Sequence, residues 1–325
     1  MDTNVAEELT IELGRALLKE GYQFTTVTPE THRRILAREP DKNANSLRVL
    51  FGWNRPLPVV NLPPAILQLA ERAQLIERQG NQVTSKVRFS TLNQNIFMHS
   101  AFPTDQEDAV FFGPDSYRFV RFLMDKIKSA KQIIDIGCGS GVGGLALARH
   151  LKEHHEKDHT KNFTMELENL FLSDISVRAL EFARINSKIA NAKMATEKPP
   201  QFLQSDLFKN IPTGIDVVIA NPPFIMDRQE RFYRHGGQAH GSELSVRIVA
   251  EALNYLQPGG QLVLYTGTAV VNGRDIFRQS ITPFIKDLDF SYEEIDPDIF
   301  GEELTENNYC DVERIAAVGL VVKIK

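Results

Sequence analysis

Asn221-Pro222-Pro223-Phe224 closes the apolar run Val217-Val218-Ile219-Ala220 and gathers groups that suit a planar nitrogen. Proline lacks a backbone donor and restricts the residue before it, so two in succession end a strand at Asn221 and leave its side chain at the tip. The Asn221 carboxamide oxygen and the Pro222 carbonyl are hydrogen-bond acceptors, and Phe224 offers a flat apolar face. Two acceptors beside a stacking plate fit an amide or an exocyclic amine.

A second segment lies upstream. Ile133-Ile134-Asp135-Ile136 runs into Gly137-Cys138-Gly139-Ser140-Gly141-Val142-Gly143-Gly144, and Leu145-Ala146-Leu147-Ala148-Arg149 follows with helical composition. Strand, glycine turn and helix in that order make nucleotide-binding geometry, because glycines let the backbone approach a ligand and a helix N-terminus favours its electron-rich part. Gly139 to Gly144 also fits the dinucleotide pattern G-x-G-x-x-G, so a Rossmann oxidoreductase using NAD stays open at this point.

Together the two segments resemble the class I S-adenosylmethionine-dependent methyltransferases, in the branch with an Asn-Pro-Pro-Phe/Tyr motif that includes the methyltransferase small domain and the release-factor glutamine methyltransferases. The resemblance implies that Asp135, Gly137, Cys138, Gly139 and Gly141 wrap the methionine part of S-adenosylmethionine. It also implies that Asn221, Pro222 and Phe224 receive an amino-type nitrogen, with Asn221 touching the cofactor as well. Gly241-Ser242-Glu243-Leu244, Pro258-Gly259-Gly260 and Leu262 to Gly267 follow in the order of the release-factor enzymes. That likeness extends from about Gly113 to Gly267. The front of the chain and the tail after Ile281, with Asp296-Pro297-Asp298-Ile299-Phe300-Gly301, do not follow it, so the acceptor is not inherited from that family.

Asp174 ends the run Leu170-Phe171-Leu172-Ser173, where an acid can accept bonds from ribose hydroxyls, although it lies 33 residues past Gly141 instead of the usual 20 or so. Asp206 follows Phe202-Leu203, where similar enzymes hold the adenine amino group; Ser173 and Leu207 would flank it. Gly113, Asp115 and Ser116 precede a helix from Tyr117 and either close over the cofactor or cap that helix. Past Phe224, a glycine-bearing loop with Arg228, Arg231, Tyr233, Arg234, His235 and His240 reads as a substrate lid, its arginines facing an anionic substrate or water.

These residues need a scaffold that brings strand ends together. From Gln132 onward apolar runs alternate with helical stretches, which predicts an α/β class fold with a doubly wound, mostly parallel sheet and ligands beyond the carboxyl ends of its strands. The resemblance makes it a seven-stranded, Rossmann-like methyltransferase sheet finished by an antiparallel pair at Phe290–Ile295 and Ile315–Ile324. Ahead of it, helical spacing from Val5 to Glu20, Thr28-Pro29, Ser46 as a third cap and Leu62-Pro63-Pro64 predict four helices. A hairpin follows around Gln79-Gly80-Asn81. The expected organisation is a smaller helical, winged-helix-like domain over residues 1–95 and a methyltransferase domain over 96–325.

Composition narrows the class. Hydrophobic and charged residues make up 42% and 24% of the chain, ordinary globular values that argue against disorder. No apolar run approaches a bilayer span, and the acidic Met1–Glu8 stretch is unlike a secretory signal, so no membrane partner and a cytoplasmic location are expected. Cys138 and Cys310 cannot form a disulfide framework. The net charge of −5 divides unevenly: residues 1–100 hold 12 basic and 10 acidic side chains, the remainder 25 and 32. Neither part has the basic stripe of an obligate nucleic-acid binder, which makes the front domain a substrate-positioning or packing unit ahead of a nucleic-acid reader. Four of the eight histidines fall between His150 and His159, but without cysteine or an apolar shell nearby the segment reads as a solvated helix end and no metal is expected.

The reading is a methyltransferase for a planar nitrogen, with a protein glutamine side chain slightly favoured over an adenine or guanine amino group in RNA or DNA. A Rossmann oxidoreductase and a cofactor-binding protein without catalysis are the rival classes. The acceptor's identity and the oligomeric state are not written in the sequence.

Overall fold

The computed structural model describes residues 3–39, 45–157, 167–190, 198–231 and 233–325. The front of the chain forms α1 (Thr3–Lys19), α2 (Pro29–Leu36), α3 (Ser46–Phe51), the two-residue β1 (Leu57–Pro58) and α4 (Pro64–Arg72). Local chemistry accounts for the ends. Gly21 takes φ +72° after α1, and Thr28 Oγ1 accepts the Thr31 N–H at 3.2 Å ahead of Pro29. The expected third cap shifts by one residue: Asn45, not Ser46, caps α3, its Oδ1 accepting the Arg48 N–H at 3.1 Å. β2 (Ile76–Gln79) and β3 (Gln82–Ser85) form the hairpin at Gly80-Asn81, and β1 joins β3 to complete a small antiparallel sheet. A separate hairpin, β4 (Val87–Leu92) and β5 (Asn95–Ser100), leads to the second half.

That half runs α5 (Pro114–Lys126), β6 (Gln132–Ile136), α6 (Val142–Lys157), β7 (Asn169–Asp174), α7 (Val177–Ala190), β8 (Gln201–Gln204) and β9 (Ile215–Ala220). After the short turn α8 (Gln238–Gly241) come α9 (Glu243–Ala252), β10 (Leu256–Val271), β11 (Arg274–Asp275), α10 (Ile276–Ile285), β12 (Asp289–Asp296) and β13 (Arg314–Lys323). The sheet order is β12-β13-β10-β9-β6-β7-β8, seven strands with the two-residue β11 appended to β10. β10, β9, β6, β7 and β8 are parallel neighbours, and β13 runs antiparallel to both β10 and β12. This is the doubly wound, Rossmann-like α/β sheet. Sequence periodicity did not mark α10, because Pro283 falls inside it; Asp275 caps that helix through the Arg278 N–H at 2.8 Å.

Both sheet faces are covered, and the period of two decides which residue faces which core. Ile133, Val217, Ile219 and Val263 pack with α5 and α6, while Ile134, Val218, Ala220 and Leu262 pack with α9 and α10. α7 serves two cores: Leu180 and Ala183 join the sheet, whereas Ala179, Phe182 and Ile189 join the core of the front helices. The excess length between Gly141 and Asp174 extends α6 and continues into residues 158–166, so that part of the histidine-rich stretch lies outside the described residues. No described helix is long and apolar enough to cross a membrane.

One side chain fastens α7 to both neighbours. Asn186, fully buried, accepts the Met98 N–H at 2.7 Å through Oδ1 and donates through Nδ2 to the carbonyls of Met98 at 3.0 Å and Ser140 at 2.9 Å. It thereby satisfies the outer edge of β5 and the backbone of the glycine turn. Asn186→Ala should lower unfolding free energy by about 1–3 kcal/mol or more, the cost of orphaning a buried backbone group, read as an earlier midpoint in urea denaturation.

Candidate active site

Strand order reverses on either side of β6, and the crevice beyond that switch point collects the sequence motifs. A cavity of about 410 Å³ opens there, lined by Asp135, Gly137, Cys138, Gly139 and Ser140 from the β6 end, Ser173 and Asp174 from β7, Asp206 and Leu207 after β8, and Asn221 after β9. Gly141 lies just behind it, turning at φ +77° against Ala183 and Leu145. A smaller cavity of about 60 Å³ adjoins it, lined by Asp115, Asn221, Pro222, Phe224, Arg234 and Phe300 among others. Asn221 and Pro223, with Phe111 and Tyr233, border both.

Two carboxylates, Asp135 buried and Asp174 partly so, shape the glycine turn. Asp135, 1% exposed, accepts the Gly144 N–H at 2.8 Å through Oδ2 and so holds the first turn of α6. Asp174 accepts the Gly139 N–H at 2.9 Å with Oδ2 and the Ser176 N–H at 2.9 Å with Oδ1. Burial drives the Asp135 carboxyl up to about 7, against the Gly144 hydrogen bond, with the Asp174 charge adding to the rise. Burial also raises Asp174 and the Cys138 thiol. Gly139 turns at φ +53° with no atom within 4 Å of where a Cβ would stand, so its open side faces space. Ser140 Oγ and Ser173 Oγ are buried without a partner among the described residues.

Asp206 is less enclosed. It borders the larger cavity while pairing with Lys209 at 2.6 Å, a hydrogen bond that holds its carboxyl below the usual range. Among the described residues nothing hydrogen-bonds the Asn221 carboxamide or the Pro222 carbonyl. Phe224, 7% exposed, meets Phe300 edge-on at 5.6 Å and lies so close over β10 that a Cβ at Gly267 would stand 2.3 Å from its ring. The α5 start divides between the two spaces: Ser116 lines the larger cavity and Asp115 the smaller. Ser116 also caps α5, its Oγ accepting the Gly113 N–H at 3.2 Å.

The loop after Phe224 is tied down instead of presenting free arginines. Asp227 takes the Arg231 Nε–H at 2.9 Å and faces Arg234 at 3.3 Å; Arg234 also pairs with Glu303, and Arg228 with Glu306 at 3.0 Å. The Met226 N–H donates to the Tyr309 hydroxyl at 2.8 Å, and the Tyr233 hydroxyl donates to the Thr104 carbonyl. Sequence reasoning missed Phe111 and Phe300, which line the site, and Tyr265, whose hydroxyl donates to Asp115 Oδ1 at 2.6 Å. An aromatic followed by glycine in the polar tail, and a tyrosine closing the apolar Leu262–Leu264 run, were the available signals. No group of three or more metal-ligating side chains converges among the described residues.

Residues 114–278 match the family described as methyltransferase small domain, half of the chain. The release factor glutamine methyltransferase of Borreliella burgdorferi is 27% identical over 144 residues, covering 41% of this chain and 44% of its own length. Its counterpart in Leptospira interrogans is 30% identical over 161 residues, 48% and 49% of the two chains. The ribosomal RNA large subunit methyltransferase G of Streptomyces avermitilis is 33% identical over 146 residues, 45% of this chain and 31% of that one. The alignments thus span half or less of these relatives' length.

The raised Asp135 carboxyl has a consequence for stability. Its folded pKa of about 7 exceeds the ordinary 3.8, so its neutral form favours folding below that range and the contribution is lost as pH rises from about 4 to 7. The Tm gain of Asp135→Asn over the wild-type ligand-free protein should therefore be larger at pH 8 than at pH 5, measured by thermal unfolding at both.

Proposed function

Because this chain belongs to the methyltransferase small domain family, we propose that it is an S-adenosylmethionine-dependent N-methyltransferase acting on a planar amide or amino nitrogen, with a protein glutamine side chain favoured. The observation that carries the reading is Asn221 at the common wall of two cavities, with its carboxamide and the neighbouring Pro222 carbonyl free of partners among the described residues. The larger cavity, about 410 Å³, falls in the range of small-molecule pockets. Asp135, Gly137, Cys138, Gly139, Gly141, Asp174, Asp206 and Asn221 would hold S-adenosylmethionine there, and that molecule supplies a methyl group on a sulfonium sulfur. The open glycine face, the acids and the orphaned serine hydroxyls fit such a guest.

The chain's own part is alignment and charge. Asn221 and Pro222 accept the N–H protons of the acceptor, draw its nitrogen toward tetrahedral geometry and stabilise the positive charge that develops on it. Phe224 fixes the plane of the acceptor, and Phe300 backs it edge-on. Orienting the reacting atoms contributes up to about 7–11 kcal/mol at the favourable limit.

Two observations bear on the acceptor. The smaller cavity, about 60 Å³, has room for the tip of an amide side chain beside Asn221. The names of the glutamine-methylating relatives agree with this, whereas the ribosomal RNA relative keeps a nucleobase amine as the second reading. The unpaired Cys138 and Cys310 suit a reducing, cytoplasmic setting. The front helices and hairpin, residues 1–95, are assigned to positioning the acceptor over the domain formed by 96–325. Incubation with methyl-labelled S-adenosylmethionine and whole-cell extract tests the reading: label should enter protein, and label in RNA or DNA alone would replace the amide with a nucleobase.

Two variants probe the two cavities separately. Gly139→Val would project into the open face of the larger cavity and strain a left-handed turn, so calorimetric binding of S-adenosylhomocysteine should be lost. Asn221→Ala should leave that binding within a fewfold while kcat falls by about two to three orders of magnitude. Asn221→Asp, which keeps an acceptor oxygen, should retain measurable turnover. Equal loss of binding and turnover in both Asn221 variants would make that residue a strand-end cap.

A further inference from the structure

Methylating a neutral amide or amine leaves one proton too many on the nitrogen, and Asn221 and Pro222 cannot keep it, since a carboxamide and a peptide carbonyl accept hydrogen bonds but hold no proton near neutrality. One carboxylate borders the smaller cavity beside them. Asp115 is 2% exposed, and its Oδ1 accepts the Tyr265 hydroxyl at 2.6 Å and Arg118 Nη1 at 3.3 Å. Its Oδ2 has no partner among the described residues, and the residue lines the cavity together with Asn221 and Pro222. Helix capping does not account for it, because Ser116 performs that task. Of the other acids nearby, Asp227 and Glu303 pair with arginines, Asp135 and Asp174 hold the glycine turn, and Glu230 borders the larger cavity but not the smaller.

Resting on the nitrogen-acceptor reading above, we propose that Asp115 is the base that takes the proton from the acceptor nitrogen, with Tyr265 and Arg118 as positioning residues. The nitrogen uses its lone pair to form the N–CH3 bond, and the electron pair of the broken carbon–sulfur bond stays on sulfur. The N–H pair then returns to nitrogen as the proton passes to Asp115 Oδ2, which gives it up to water once product leaves. Burial raises the Asp115 carboxyl, with the Asp296 charge adding to the rise and Tyr265 and Arg118 opposing it, so its ionised form is a stronger base than an exposed carboxylate. The groups facing it are Arg118 from α5, Tyr265 from β10, Asp296 from β12, which anchors Arg118 at 2.8 Å, and Tyr233 and Arg234 from the loop.

The test is the pH profile of kcat for the wild type, Asp115→Asn and Tyr265→Phe with methyl-labelled S-adenosylmethionine and a glutamine-containing peptide. S-adenosylhomocysteine affinity and the infrared band of the protonated Asp115 carboxyl are followed alongside. Asp115→Asn should lower kcat by about 10²–10⁴-fold, remove the acidic limb of the profile and leave S-adenosylhomocysteine affinity within twofold. Tyr265→Phe removes a donor to the carboxylate, so the acidic limb should move to higher pH; this shift carries the test if Asp115→Asn does not fold. The infrared band, absent in Asp115→Asn, should titrate at the pH of the wild-type limb. An unchanged limb in either variant, a loss of kcat under threefold, or an infrared midpoint apart from the kinetic one overturns the assignment to Asp115. A wild type that labels neither the peptide nor any fraction of cell extract overturns nitrogen methylation itself, and the base with it.

Discussion

Two carboxylates from adjacent strands grip the backbone of one glycine turn, and the geometry of the crevice follows from that grip. Asp135 holds the Gly144 N–H and Asp174 the Gly139 N–H, so the start of α6 and the bend of the turn are set by β6 and β7 together. Carboxyl oxygens make strong hydrogen bonds to N–H groups, and these offset part of the cost of enclosing Asp135, which is buried, and Asp174, which is partly so. Their raised carboxyls show the opposing cost of desolvation. The turn is thus held against strain from the protein side, leaving its other side open.

The second cavity depends on contacts between distant parts of the chain. Loop residues Met226, Arg228 and Arg234 meet the segment 303–309 between β12 and β13 through Arg234–Glu303, Arg228–Glu306 and Met226–Tyr309. Phe300, in the left-handed region at φ +54°, reaches Phe224 and lies under the Arg234 guanidinium. Exposed pairs such as Arg228–Glu306, with Arg228 60% exposed, contribute little to stability. The half-buried Arg234–Glu303 pair and the Tyr309 hydroxyl bond are the ones that hold the wall. The tail of the chain therefore shapes the space beside Asn221, although it lies outside the part that resembles the release-factor enzymes.

Much of this was legible before any coordinates. Period-two apolar runs alternating with helical stretches specified a doubly wound sheet, and glycine and proline marked where two strands must end. Being at strand tips, Asp135, Gly139, Asp174, Asp206 and Asn221 had to gather at one edge once the strands ran parallel. Local rules erred where two residues compete for one task, as with Asn45 and Ser46, or where a proline is tolerated within a helix, as with Pro283.

The sequence by itself determined the fold class and the residues at the switch point, because backbone periodicity and breaker residues act over a few positions. Only the tertiary structure decided which side chains face each other across the crevice. Asp115 and Tyr265 are 150 residues apart, and nothing in either neighbourhood announces the other. The lid arginines likewise read as candidates for an anion until Asp227, Glu303 and Glu306 were seen to occupy them. Pairing of buried groups depends on distance and desolvation in the folded state, and no local pattern encodes either one.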